Sequence, residues 1–264
     1  MAQQGVLIKM NTEIGSPIQY ELTLGEDKIL VNDLLDKTLT LDFVGYQCLA
    51  CSKKKKIYRQ GHCYACFYEL PQTADWIMKP ELSTAHLGIE DRDLEFEKAV
   101  QLKPHIVYLA LSSEVKVGVT RKTQVPTRWI DQGANQALAI LEVPNRYLAG
   151  IAEVALKGHL ADKTNWRKML KNEVPEADLA AVREEVKQYL PEEVLSYVIE
   201  EAALDLDFPV LRFPDKVKSL NLTKTPSYTG VLKGVKGQYL IFEDNTVFNI
   251  RSNEGTVVAL GIED

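Results

Sequence analysis

The four cysteines of the 264-residue chain constrain its fold more than any other feature of the sequence. They form two C-x-x-C pairs that are separated by eleven residues. A C-x-x-C turn offers two thiolates to one tetrahedral zinc ion, and two such turns close a four-sulfur shell. The spacing therefore predicts a zinc ribbon with structural zinc, whose ligands are Cys48, Cys51, Cys63 and Cys66.

Other uses of these cysteines stay open at this point. The thiols can form disulfides, which a reducing cytoplasm disfavours, or one C-x-x-C pair can act in redox chemistry beside a βαβ unit. His62 can replace one cysteine, although four cysteines already complete the shell. Because a closed four-thiolate shell has no open coordination position, we expect the site to hold structure and to perform no chemistry.

The charge of the chain is distributed unevenly. Its net charge is -6, which by itself argues against a polyanionic partner. Residues 46–70, however, carry five basic side chains and one acidic side chain, and residues 103–171 carry eleven basic and five acidic ones. We therefore expect that any nucleic acid, whether DNA or RNA, is bound by a localised basic face.

The segment between the two cysteine pairs is a candidate nucleic-acid contact. Its basic side chains can bind phosphates, and the neighbouring Tyr58 can stack on a base. A solvated charged loop is the alternative explanation for the same residues. The candidate contacts are Lys53, Lys54, Lys55, Lys56 and Arg59.

Residues 103–171 have the pattern of a small α/β domain. An apolar strand through Tyr108 is followed by a Ser-Ser turn and a β-branched strand that ends at Gly118. A basic loop, a helix opened by Pro126, a strand over Ala139–Val143 and a helix from about residue 147 to residue 159 complete the pattern.

Several residues of this domain occur in the order of a known nuclease motif. Ile106-Val107-Tyr108 and Lys116-Val117-Gly118 occupy the places of the two short motifs of the GIY-YIG superfamily, and three further positions follow in the family's order, namely Arg128, Glu153 and Asn165. Residues 104–170 thus resemble a GIY-YIG domain. The whole arrangement resembles a family of uncharacterised bacterial and archaeal proteins that join a four-cysteine ribbon to such a domain.

The resemblance implies a catalytic site for cleavage of phosphodiester bonds. Glu153 would hold one divalent cation, magnesium, and Arg128 would bind the scissile phosphate. Tyr108 would position or deprotonate the attacking water, and Lys116 would lower the pKa of its phenol. Asn165 corresponds to the downstream asparagine of the family.

Two positions depart from the family pattern. Lys116 stands where the second motif normally begins with tyrosine, and Gln132 stands where these nucleases often carry histidine or tyrosine. Further basic residues would add phosphate contacts along a groove, with a solvated face as the alternative. These residues are Arg121, Lys122, Lys163 and Arg167.

The rest of the chain predicts architecture more than function. Residues 1–45 and 208–264 alternate like β-strands and are expected to form one sheet or a small barrel, whereas residues 71–102 and 172–207 have helical spacing among acids. The predicted fold class is α+β, with the ribbon at residues 46–70, the GIY-YIG-like domain at residues 103–171 and a C-terminal meander.

The sequence leads to three hypotheses of function. The first is a zinc-ribbon protein that binds nucleic acid and cleaves it with magnesium. The second is a non-catalytic RNA- or ribosome-associated binding protein, and the third is a protein-interaction module with a vestigial nuclease fold. No apolar run approaches the roughly 20 residues of a membrane span, and the N-terminal residues lack a secretory pattern, so we expect a cytoplasmic protein without a membrane partner.

Overall fold

The computed structural model of the chain describes residues 3–160 and 165–263. In chain order, the strands are β1 (Gln3–Val6), β2 (Asn11–Glu13), β3 (Gln19–Leu24), β4 (Asp27–Leu30), β5 (Thr38–Tyr46), β6 (His105–Leu111), β7 (Val115–Arg121), β8 (Gln136–Val143), β9 (Leu204–Asp205), β10 (Lys218–Ser219), β11 (Ser227–Lys236), β12 (Tyr239–Phe242), β13 (Thr246–Asn249) and β14 (Thr256–Glu263). The α-helices are α1 (Tyr64–Glu69), α2 (Leu94–Gln101), α3 (Thr127–Asp131), α4 (Arg146–Lys157), α5 (Trp166–Leu170) and α6 (Leu179–Val186). Short 3-10 helices cover Val31–Leu34, Pro71–Thr73, Asp75–Ile77, Pro80–Leu82, Ala85–Leu87, Lys122–Gln124, Lys187–Tyr189, Glu192–Tyr197 and Arg251–Asn253.

The chain forms two compact units, which are described separately. The first unit contains residues 1–68, 130–133 and 207–264, and the second contains residues 69–129 and 134–206. The mixture of several sheets with helices confirms the α+β class. No helix in the part of the chain that the structure describes combines the length and the apolarity that crossing a membrane requires.

The first unit is built on a seven-stranded sheet that joins the two ends of the chain. Its strand order is β1-β14-β5-β11-β12-β13-β10, and all pairs are antiparallel except β10 with β13. The N-terminal strand β5 therefore lies between β14 and β11 of the C-terminal segment. A separate three-stranded sheet, β2-β3-β4, belongs to the same unit.

Buried and partly exposed side chains alternate along the strands of the first unit. In β3, Tyr20, Leu22 and Leu24 are buried, whereas the residues between them are partly exposed. In β5, Leu39 and Leu41 are buried in the same way. Side chains on a strand point alternately to opposite faces, so this period of two places one apolar face of each strand in the interior.

The second unit is built on a four-stranded antiparallel sheet in the order β7-β6-β8-β9. All seven residues of the central strand β6 are buried. One core cluster joins Val107, Leu109 and Val117 of this sheet to Ala149 and Leu156 of α4. Helix α4 therefore covers the face of the sheet on which these apolar residues lie.

A close backbone approach fixes the position of α4 within the second unit. A Cβ atom added at Gly150 would lie 2.2 Å from the backbone nitrogen of Glu81 and 2.5 Å from the carbonyl carbon of Pro80. Both of these atoms belong to backbone, which cannot rotate away as a side chain can. Glycine at position 150 thus lets the 3-10 helix Pro80–Leu82 lie directly against α4.

Candidate functional site

The structure brings the four cysteine sulfurs together in the first unit. The sulfurs of Cys48, Cys51, Cys63 and Cys66 all lie within 4.8 Å of one another, and those of Cys51 and Cys63 are 4.0 Å apart. Zinc–sulfur bonds of about 2.3 Å in a tetrahedron place sulfurs roughly 3.8 Å apart. A disulfide requires about 2.05 Å, so the four thiols are free and are arranged for one shared ion.

The backbone around the first cysteine pair is folded into a tight turn. Cys48 accepts a hydrogen bond at its carbonyl from Ser52 N–H at 2.9 Å, and the Cys48 sulfur accepts one from Cys63 N–H at 3.3 Å. Leu49 N–H donates to the carbonyl of Gly61, whose positive φ of 74° permits the return of the chain toward the second pair. These bonds hold the two cysteine pairs against each other.

The local fold of the ribbon differs from a regular hairpin. Lys53 to Lys56 lie in an exposed loop, and between the cysteine pairs the described ladder is a single bridge between Arg59 and His62. Cys66 lies in α1, immediately after the second turn. Four consecutive like charges favour solvation over strand pairing, which explains why this stretch stays out of a sheet.

Burial and hydrogen bonding give the thiols of Cys48 and Cys66 different pKa values. Burial raises the pKa of Cys48, but N–H donors from Cys51, Cys63 and Ala50 outweigh burial and lower this pKa to about 5. Burial and the neighbouring sulfurs raise the pKa of Cys66 to about 12. A thiolate at Cys48 thus discourages ionisation of Cys66, and a cation shared by the four sulfurs would remove that repulsion.

An exposed aromatic cluster lies on the ribbon beside the lysine loop. The ring centroids of Tyr58 and Tyr64 are 5.2 Å apart, and those of Tyr64 and Tyr68 are 4.8 Å apart. The exposed fractions of Tyr58, Tyr64 and Tyr68 are 41%, 64% and 51%. The guanidinium of Arg59 lies 5.4 Å from the centroid of the Tyr58 ring. We call Lys53, Lys54, Lys55, Lys56, Tyr58, Arg59, Tyr64 and Tyr68 together the ribbon surface.

In the second unit, the two predicted GIY-YIG motifs lie on neighbouring strands. Tyr108 of β6 is paired directly with Gly118 of β7. A Cβ atom at Gly118 would lie 2.6 Å from both Cζ and Oη of the Tyr108 phenol. Glycine at position 118 is therefore what allows the Tyr108 ring to lie across the neighbouring strand, where it also contacts Trp129 at 5.8 Å between ring centroids.

The structure places Lys116 and Arg128 close enough to influence each other. Burial, followed by the positive charge of Arg128, lowers the pKa of Lys116 to about 8. Lys116 is paired with Ala110, two residues along the same face of the sheet from Tyr108. Tyr108 and Lys116 thus share one face of the sheet, with Arg128 near them.

Glu153 lies on α4, which covers the opposite face of the sheet. Its carboxylate forms an ion pair with Lys157 at 3.3 Å, and burial raises its pKa despite the charges of Lys157 and Arg146. The charges of Glu153, Arg121 and Arg128 also act on the pKa of Arg146. The predicted catalytic residues therefore lie in two groups: Tyr108, Lys116 and Arg128 are on one face of the sheet, and Glu153 is on the helix that covers the other face.

Arg146 and His105 are buried polar residues that the sequence did not single out. Arg146 donates to the carbonyls of Trp76 and Ile77 at 3.1 and 2.7 Å, and its guanidinium lies 3.5 Å from Nε2 of His105. Burial lowers the pKa of Arg146 to about 10. An arginine in an ordinary amphipathic helix gives no sequence signal for such burial, because the signal depends on the 3-10 segment that covers it.

The remaining predicted contacts have separate positions. The side chain of Asn165 accepts hydrogen bonds from the N–H groups of Arg167 and Lys168 and caps α5, which is a structural use of the predicted catalytic amide. Lys122 pairs with Glu142 at 2.7 Å, whereas Arg167 is exposed over the ring of Trp166. Lys163 lies outside the described residues.

Comparison with known proteins assigns the family of the chain. The sequence profile of DUF2797, described as a protein of unknown function, matches residues 36–258. The chain belongs to the DUF2797 family. The DUF2797 match contains all four cysteines and both predicted motifs of the second unit. The search of curated proteins found no match, and the search of solved structures found none either. The resemblance to GIY-YIG nucleases therefore stays a prediction for this DUF2797 protein.

Proposed function

We propose that the chain is a zinc-ribbon protein that binds single-stranded nucleic acid through its ribbon surface. The observation that carries the proposal is the exposed cluster of Tyr58, Tyr64 and Tyr68 beside four consecutive lysines. Soluble proteins rarely leave several neighbouring aromatic rings in water without a partner. Single-stranded nucleic acid has the complementary chemistry, because its bases stack on aromatic rings and its phosphates bind cations.

The charges of the ribbon surface support binding of phosphates. Lys53, Lys54, Lys55 and Lys56 are all exposed. The described residues provide no carboxylate partner for Arg59, whose guanidinium lies over the ring of Tyr58. Cations that are not neutralised by the protein can displace counterions from a phosphate backbone, which supplies most of the affinity in such complexes.

The cysteine cluster explains how this surface keeps its form. The loop that carries the lysines belongs to no helix or sheet, and Cys51 and Cys63 flank it. A zinc ion that is bound by all four thiolates would tie both ends to one point, because structural zinc contributes folding energy directly. Sulfur ligands and tetrahedral spacing favour zinc over magnesium or calcium, which prefer oxygen ligands.

Binding by the zinc-loaded chain to a labelled oligonucleotide tests this proposal. Replacement of one exposed ring, Tyr64→Ala, should weaken binding about tenfold or more, since stacking contributes about 1–3 kcal/mol per base. Tyr189→Ala, which also removes an exposed tyrosine but lies outside the ribbon, is the matched control. Equal affinities of the wild type and the Tyr64→Ala variant would reject the ribbon surface as the binding site.

A second candidate function is cleavage of the bound strand by the second unit. The packing of Tyr108 against Gly118 and the proximity of Arg128 to Lys116 favour it. It ranks second because Tyr108, Lys116 and Glu153 are buried, whereas the ribbon surface is exposed.

In the proposed cleavage, Arg128, Tyr108 and Glu153 each have a separate role. Arg128 would bind the scissile phosphate, and Tyr108, as its phenolate, would accept a proton from the attacking water as the bond from phosphorus to the leaving oxygen breaks and that oxygen takes a proton from solvent. Glu153, the predicted magnesium ligand, lies on the helix that covers the opposite face of the sheet from Tyr108, and its carboxylate is paired with Lys157. The cleavage hypothesis therefore requires Lys157 to release this carboxylate and α4 to bring it to the face of Tyr108, where a magnesium ion would neutralise charge on the phosphate.

Cleavage is tested with magnesium on single- and double-stranded DNA and RNA. Glu153→Gln and Arg128→Ala should each reduce the cleavage rate at least a hundredfold, in line with the loss of a group that stabilises the transition state. Glu114→Gln removes one exposed carboxylate of the same unit and should leave the rate unchanged. Equal rates in all four proteins would show that a contaminating nuclease, and not this site, was measured.

A further inference from the structure

Two adjoining clefts lie beside the ribbon in the first unit. One has a volume of about 380 Å³ and is lined by Tyr58, Arg59, Asn253 and Glu254 among others. The second has a volume of about 410 Å³ and includes Arg251. The clefts share Gln60, Ser252 and Glu254, so together they form one groove, and Glu254 lines both of its parts. Each volume lies within the range of small-ligand sites, about 300–1,000 Å³.

Glu254 is held in place within this groove. One of its carboxylate oxygens, Oε1, accepts a hydrogen bond from Lys9 N–H at 3.0 Å. Across residues 3–160 and 165–263, the structure shows no donor for the other oxygen, Oε2. The groove therefore contains an anchored carboxylate that can still accept hydrogen bonds from a ligand.

The chemistry of the Glu254 carboxylate restricts which groups of a nucleic acid it can bind. An ionised carboxylate only accepts hydrogen bonds, through two oxygens side by side, and it repels phosphate. Its best-matched partner within a nucleic acid is therefore a base edge with two adjacent N–H donors, because a single amino group or hydroxyl engages only one of the two oxygens. Guanine has two such donors on its Watson–Crick edge, N1–H and N2–H, whereas adenine, cytosine and uracil each have a single donor group on that edge, with an acceptor beside it.

The walls of the groove supply the other contacts of a nucleotide. Tyr58 offers an aromatic surface, and Arg59 offers a cation for the phosphate of the same nucleotide. Arg251, which is half exposed and lies 3.5 Å from Asp131, offers a second cation in the adjoining cleft. The oxygen Oδ1 of Asn253 adds an acceptor near Glu254, because the amide nitrogen of Asn253 already donates to the carbonyl of Asn249.

We propose that this groove binds a guanine nucleotide of a single-stranded nucleic acid and that Glu254 accepts hydrogen bonds from N1–H and N2–H of the base. Arg59 binds the phosphate, and Arg251 binds the phosphate of the neighbouring nucleotide. The proposal rests on the proposed function, since it adds a preference for one base to binding at the adjacent ribbon surface. Single-stranded bases are commonly recognised at their Watson–Crick edges in this manner.

Replacement of guanine by inosine tests the proposal, because inosine lacks only the N2 amino group. The probe is a fluorescein-labelled oligouridylate of about ten nucleotides with one central guanosine or inosine, titrated with the full zinc-loaded chain. The inosine probe should bind the wild type about tenfold more weakly, as expected for the loss of one hydrogen bond to a charged group. Glu254→Gln should bind both probes equally, because its amide keeps the acceptor for Lys9 but presents a donor to N1–H.

Control experiments distinguish recognition of the guanine base from binding of nucleic acid by the ribbon surface. Glu26→Gln removes one exposed carboxylate of the same unit and should keep the tenfold difference between guanosine and inosine. Equal binding of both probes by the wild type, or a difference that persists in Glu254→Gln, would overturn base recognition while leaving ribbon binding intact. Failure of the wild type to bind any probe would instead reject the proposed function and the base preference with it.

Discussion

At the scale of single residues, spacing predicted the cluster of four cysteines but not the buried charges. The two C-x-x-C pairs indicate four ligands because a local turn suffices to bring each pair together, and the structure groups all four sulfurs. His105 and Arg146 could not be identified in this way. Histidine and arginine are usually solvated, and their burial here depends on Trp76 and Ile77, which are distant in the sequence.

His105 should make the stability of the second unit depend on pH. Its Nδ1–H donates to the carbonyl of Lys103 at 2.7 Å, which leaves Nε2 as the acceptor that faces Arg146. Burial, followed by the charges of Arg146 and Arg121, lowers the His105 pKa to about 4 although the bond to Lys103 opposes this shift. The unfolded state, with an ordinary histidine pKa near 6.5, therefore binds a proton first as the pH falls.

The resulting prediction is a loss of stability between pH 6.5 and pH 4. The contribution of neutral His105 is fully present above pH 6.5 and decreases as the pH falls, by up to about 3 kcal/mol at pH 4. Urea unfolding at several pH values measures the free energy of unfolding and hence this contribution. His105→Asn should have a flatter pH dependence in this window, whereas His159→Asn, at an exposed histidine, should behave as the wild type does. Identical pH profiles for His105→Asn and the wild type would contradict the prediction.

At the scale of elements, local patterns predicted strands better than they predicted strand partners. The apolar run at residues 105–111 and the β-branched run at residues 115–121 form neighbouring strands because a short turn joins them. The pairing of β5 with β14 and β11 connects residues about 190 to 220 positions apart, and no local turn specifies it. The exposed lysine loop likewise stays outside any sheet, because repulsion between its charges opposes cross-strand pairing.

The ribbon should depend on its metal as one element. The purified chain should contain about one zinc ion, and Cys63→Ser should lose it, because three thiolates form an incomplete tetrahedral shell. Metal analysis measures the zinc, and hydrogen exchange should show faster exchange of residues 46–68 in the variant. Ala65→Ser, an exposed position between Cys63 and Cys66, introduces the same hydroxyl without removing a ligand and should retain zinc. Full zinc content in Cys63→Ser would exclude the four-cysteine site.

At the scale of the whole molecule, a net charge of -6 coexists with a strongly basic ribbon. Coulomb interactions between exposed charges are screened beyond about 8–10 Å at physiological ionic strength. Acidic side chains farther than this from the ribbon surface would therefore weaken binding of a polyanion only slightly. Under the proposed function, contact with nucleic acid is limited to the ribbon surface and the adjoining groove, and the overall negative charge opposes a general coating of the strand.

The salt dependence of binding tests this view, because it counts the phosphates that the protein neutralises. The five cations of the ribbon surface, together with Arg251 of the groove, predict that log affinity for a single strand that contains guanosine falls with log salt at a slope of about -4, or about 0.7 per contact. Lys54→Ala combined with Lys55→Ala should reduce the size of the slope to about -3, again at about 0.7 per contact. Lys28→Ala combined with Lys98→Ala removes two exposed lysines outside the ribbon and should leave the slope unchanged. A slope that responds equally to both pairs would mean that overall charge governs binding. A slope that responds only to the ribbon pair assigns the contacts to this local surface, whatever the sign of the net charge.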